Sequence, residues 1–173
     1  EIALNAGPLG QYLYVPGRDP SQAAGRTGSR LTIVESGPLV IVLRSEGPAP
    51  GTQGVRHTVQ IVAGSDSLPL LVELNKTPVR SKESAHIAFP FSVPGAITRI
   101  DLGEAIVRPG DSQMPGSNRE FIGAHSAIDV SGSSYGISLA TLDAPLVELG
   151  AITDERQNDR GTRNWRDQVA GGT

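Results

Sequence analysis

The chain contains no cysteine. Disulfides and thiolate chemistry are therefore excluded, while the cellular compartment stays open. Aromatic residues make up only 4% of the 173 positions, which argues against a surface built on base stacking. The formal net charge is −3, so there is no basic footprint for nucleic acid or an anionic membrane surface. No apolar run approaches the roughly 20 residues that a bilayer-spanning helix needs. The first residues, Glu1-Ile2-Ala3-Leu4-Asn5, lack both the basic and the apolar stretch of a secretory signal.

Catalytic signatures are equally scarce. The three histidines, His57, His86 and His125, form no H-x-H or H-E-x-x-H pattern. No G-x-S-x-G elbow marks a serine nucleophile, and no glycine-rich phosphate loop follows a strand. Carboxylates that could pair, Asp101, Glu104, Asp129 and Asp143, are scattered. Asp101 and Glu104 are three apart, which on a strand puts them on opposite faces. An aspartate at a strand end more often does turn chemistry.

What is present is β-pattern. Twenty-one Gly and thirteen Pro fall between apolar runs, where turns sit. In residues 30–36, Leu31, Ile33 and Glu35 face one way and Thr32 and Val34 the other. The run LVIVLR, residues 39–44, suits a strand buried on both faces. Residues 55–63, VRHTVQIVA, alternate cleanly, with Val55, His57, Val59, Ile61 and Ala63 on one face. On that apolar parity His57 reads as a packed core residue. Residues 84–93 and 96–107 read as two long strands meeting at the turn Pro94-Gly95. Further strands are expected at 121–130, 135–141 and 146–152. The sum is about nine to eleven strands at roughly ten-residue spacing, an all-β antiparallel sandwich or barrel. Residues 1–153 form one sandwich domain in this reading. Residues 154–173, dense in charge of both signs and carrying Trp165, form a solvated or docking tail. The loop RPGDSQMPGSN, residues 108–118, sets planar polar groups on a Pro/Gly scaffold. Arg108, Asp111, Gln113 and Asn118 are its candidates for contact with sugar hydroxyls or a domain interface.

Three segments also carry a resemblance: KESAHIAFPFSVPG, RPGDSQMPGSN and YGISLATLDAPLVELG. In their order and spacing they resemble the C-terminal β-sandwich region of glycoside hydrolase family 38, the α-mannosidases and their relatives. QYLYVPGRDPS, ESGPLVIVLRSE and HTVQIVAGSDSLPLLVELNK look like the preceding strands of that region. The resemblance implies a portion of a galactose-mutarotase-like supersandwich. It implies a parent that cleaves α-mannosides with retention, through an aspartate nucleophile and a zinc ion in an N-terminal barrel. Neither has a counterpart in this chain, so the chain is expected to hold no cofactor and to be inactive alone. Its expected partners are that catalytic barrel and carbohydrate, with no nucleic acid and no membrane. Two other functions fit an all-β chain: a free-standing carbohydrate-binding module, or a structural interaction sandwich of immunoglobulin-like type. The first is disfavoured by the scarcity of aromatics for a sugar platform. A small hydrolase using Asp101, Asp129 or Asp143 is the remaining alternative.

Overall fold

The computed structural model of the chain describes residues 9–17, 19–114, 117, 121–150 and 152. Trp165, Asn118 and the charged tail lie outside the described residues. Every strand pairing is antiparallel. Among the described residues the regular structure is all-β apart from one short 3-10 turn, Pro20–Gln22, capped by the Asp19 side chain. The chain groups into two compact units, one ending at Ala88 and the other running on from Phe89.

The first unit holds two sheets. One has the order β2-β1-β7, from Ala24–Gly25, Gln11–Pro16 and Glu83–Ala88. The other runs in sequence order through β3 (Arg30–Ser36), β4 (Val40–Gly47), β5 (Thr52–Val62) and β6 (Leu70–Lys76). They meet over Tyr12, Ala49 and Val55, with Tyr14, Val72 and Ile87 packed around them. Tyr12 is 1% exposed and donates its hydroxyl to the Pro50 carbonyl at 2.8 Å, so its buried polar tip is satisfied.

Register explains both faces of the four-stranded sheet. Arg30, Glu46, Arg56 and Glu73 stand opposite one another across all four strands, an alternating row of charge on the outer face. Arg56 lies 3.2 Å from Glu46 and 3.5 Å from Glu73. On the inner face Val55 and Val72 enter the core. Further along that same face Leu31, Ile33, Ile41 and Ile61 are 67, 63, 38 and 42% exposed. The expectation for LVIVLR is corrected here: β4 is central in its sheet, but Leu39 and Ile41 are exposed rather than buried on both sides. A bulge between Ile33 and Glu35 corrects the parity of β3 as well. Ile33 opposes Leu43, whereas Glu35 opposes Val42 and so joins the polar face.

The second unit also holds two sheets. One has the order β12-β11-β8-β9, from Gly136–Ala140, Ala127–Ser131, Ile97–Asp101 and Ile106–Val107. The other pairs β10 (Phe121–Gly123) with β13 (Leu146–Glu148). Leu139, Ile128, Ile100 and Val107 form one row across the larger sheet, with Ile100 fully buried. Ile122 and Val147, a cross-strand pair of the smaller sheet, close over that row. Each unit is thus a small two-sheet sandwich with its own core.

Two expected long strands are broken. Pro94-Gly95 does turn the chain, with the Ala96 N–H bonded to the Val93 carbonyl at 3.2 Å. Its flanks, however, do not pair. β7 pairs with β1 in one unit, and β8 pairs with β11 and β9 in the other. Pro90 and Pro94 lack the N–H that a ladder would use, and residues 89–93 form no strand. Residues 121–130 likewise divide, into β10 and β11 on different sheets. At the corner the His125 N–H bonds the Asp101 carbonyl at 2.7 Å and the Ala124 N–H bonds the Pro145 carbonyl at 2.7 Å.

Candidate functional site

Beyond β9 the chain folds into the polar loop. The Asp111 and Ser112 N–H groups both return to the Arg108 carbonyl at 3.1 Å. The Gln113 side-chain oxygen accepts the Gly110 N–H at 3.0 Å. The loop is therefore shaped by its own backbone and by Gln113, a half-buried side chain that closes the turn. Arg108 and Asp111 are exposed. The structure brings Arg108, Asp111 and Gln113 into one turn. Arg108 and Asp111 are the two that extend polar groups outward, and Asn118 is not among the described residues.

The outer face of the larger sheet in the same unit carries two carboxylate hubs. Asp129, opposite both Arg99 and Ser138, accepts from Ser131 Oγ at 2.6 Å, Arg99 Nη1 at 3.1 Å and Ser138 Oγ at 3.1 Å. The Ser131 hydroxyl, then Ser138 and Arg99, hold its carboxyl below the ordinary aspartate value. Asp101, at the end of β8, takes the Gly103 N–H at 2.7 Å and the Ser126 hydroxyl. The Ser126 bond foremost, then the Gly103 N–H, lower its carboxyl too. A glycosidase general acid needs a raised pKa. Both of these carboxylates are shifted the other way. Asp143 sits exposed in the turn before β13.

Ser126, His125 and Asp101 lie together, but their order is wrong for acyl transfer. A nucleophilic serine needs the imidazole between itself and the carboxylate. Here Ser126 donates directly to Asp101, and His125 Nδ1 lies 3.7 Å from the same carboxylate oxygen. Asp101 works as a clasp joining the β8 end to the corner at residues 124–126. Glu104 is exposed in the β8–β9 turn. Among the described residues no group of three or more His, Asp or Glu side chains stands close enough to hold a metal ion.

The histidines differ in setting. His86 Nε2 lies 2.8 Å from Ser84 Oγ, and burial lowers its pKa. His57 is half-buried on the inner face of β5, opposite Ser45 and Val72. Burial, and then the charge of Arg26, lower its pKa. It shares with Gln11 and Arg26 the lining of a cavity in the first unit. Sequence reasoning passed over Gln11 and Arg26, because nothing in their local pattern reports a pairing that only the fold creates. Comparison of the chain with protein-family models, with curated proteins and with solved structures finds no match.

Proposed function

We propose that the chain is a non-catalytic β-sandwich portion of a retaining α-mannosidase-like glycoside hydrolase. In this reading it buttresses a catalytic barrel that lies outside the chain, where the zinc and the nucleophile belong. The reading rests on the ordered resemblance of its strand and loop motifs. One structural observation supports it: the inner face of the four-stranded sheet stays apolar beyond its own core. Leu31, Ile33, Ile41 and Ile61 are exposed there, spread over β3, β4 and β5, in a patch that a free-standing domain would be expected to cover or to make polar. The polar loop, with Arg108 and Asp111 extended, is the part suited to meet sugar hydroxyls from the side.

Radical footprinting of side chains tests this reading. The chain would be labelled alone and when joined to the coding region immediately upstream. Protection of Leu31, Ile33, Ile41 and Ile61 in the joined protein is the expected result. Unchanged labelling of all four, or an upstream region with no barrel, would sink the proposal. A carbohydrate-binding module would instead bind mannosides as the isolated chain, which calorimetry would register.

A further inference from the structure

A cavity of about 260 Å³ opens in the first unit, beside Gln11 and Tyr12 of β1, Arg26, Gly28 and Ser29, and His57 of β5. Three of its polar groups have unused capacity. The Nε2 atom of His57 and the side-chain oxygen of Gln11 are both enclosed and without hydrogen-bond partners. A buried polar atom left unpaired destabilises the fold, so two of them beside one cavity are not neutral. Arg26 is the third. Its guanidinium is anchored by Ser45, with Nη2 donating to Ser45 Oγ at 2.7 Å and Nη1 to the Ser45 carbonyl at 3.3 Å. Among the described residues no carboxylate pairs with it. Among the described residues no acidic side chain lines the cavity.

An anchored cation with no counter-charge, an imidazole and an amide that can present either end together favour an oxyanion. A neutral polyol would satisfy Gln11 but would leave the charge of Arg26 uncompensated. The volume falls just under the usual range for ligand pockets, about 300–1,000 Å³, which limits the guest to a small molecule. The charge of Arg26 already reaches His57, since it contributes to holding that imidazole neutral.

We propose that this cavity is a binding site for a small oxyanion, a carboxylate or a phosphate group, held by the Arg26 guanidinium with His57 and Gln11 completing the contact. Arg26 supplies charge-assisted donors in a fixed orientation. His57 Nε2 and the Gln11 amide meet the remaining oxygen or its substituent. This site is independent of the reading given above, because it lies within one unit and uses none of the loop residues.

The test is a titration of the full chain followed by the NMR signals of the His57 ring and the Arg26 side chain. The probes are acetate, inorganic phosphate and glycerol, each against sodium chloride at matched ionic strength. Saturable shifts with acetate or phosphate, absent with chloride, are expected, and the arm that saturates tells a carboxylate from a phosphate guest. Arg26→Gln should weaken that binding about tenfold or more. Should Arg26→Gln unfold the unit, Gln11→Leu serves as the second variant and should weaken binding several-fold. Absence of any saturable shift with both anions overturns the proposal, and so does saturation with glycerol alone.

Discussion

Replacing Gly51 with alanine separates steric from backbone cost in the first unit. Gly51 has φ of +70°, a conformation that L-residues adopt at a cost of about 1 kcal/mol. A methyl group there would also stand 2.5 Å from Tyr14 Cδ2 and 2.8 Å from Tyr14 Cζ, with Cε2 closer still. The ring has little room to retreat. Its hydroxyl donates to Glu83 at 2.5 Å, and the Lys76 ammonium lies 5.7 Å from the ring centroid. Overpacking of this kind adds about 1–3 kcal/mol, so Gly51→Ala should cost about 2–4 kcal/mol in all. Gly64 is the control. Its φ is +75°, and an added methyl would meet nothing within 4 Å. Gly64→Ala should therefore cost only about 1 kcal/mol, the backbone share. Hydrogen exchange read by mass spectrometry reports both, through amides of β1 and β7, with residues 127–140 as an internal reference. Equal losses for the two variants would refute the argument that the Tyr14 ring is pinned against Gly51.

The core of the second unit gives a further prediction. Ile100→Ala removes the one fully buried isoleucine of the row across that sheet and should cost about 3 kcal/mol, seen as faster exchange in residues 127–140 and not in residues 11–16. Acid gives another. The Lys76 ammonium and then the Tyr14 hydroxyl hold the Glu83 carboxyl below its ordinary value of 4.5. The folded state therefore binds fewer protons than the unfolded one in that window. Glu83 stabilises fully above the ordinary value, and its contribution is lost as pH falls through the depressed one. Glu83→Gln should flatten that acid limb in an exchange profile of β7, and an unchanged limb would count against the Lys76–Glu83 pair. The exposed apolar patch gives a fourth. Ile33→Ser with Ile61→Ser should shift the unfolding of the isolated chain by less than about 1 kcal/mol, yet weaken its association with a catalytic domain measured by pull-down.

The local turn and strand chemistry was legible in the sequence, and the pairing was not. The alternation of residues 55–63 points to β5, which runs Thr52–Val62, and Pro94-Gly95 to a turn where a turn occurs. That turn reads as a hairpin tip because period two reports how a strand is oriented, not which strand lies beside it. Pro90 was the residue that contradicted the long strand, since it cannot donate to a ladder. The bulge at Ile33–Glu35 leaves no signal in composition, so the inward parity of Glu35 was misassigned. The exposed patch in turn explains why LVIVLR reads as doubly buried: its residues carry the hydrophobicity of a covered strand, while the described residues cover only part of it. Among the site residues, the sequence selected the polar loop, where Gln113 proves to hold the turn and Arg108 and Asp111 extend from it. It could not find the cavity, whose polar groups come from three distant segments on two separate sheets and the connection between β2 and β3.

Zinc-supplemented hydrolysis of p-nitrophenyl α-mannoside is the most direct measurement of the central claim. It should be run on the purified chain and on the chain joined to its upstream coding region. The account predicts release of p-nitrophenol by the joined protein, lost on chelation, and none by the chain alone. Zinc-dependent release by the chain alone would contradict it.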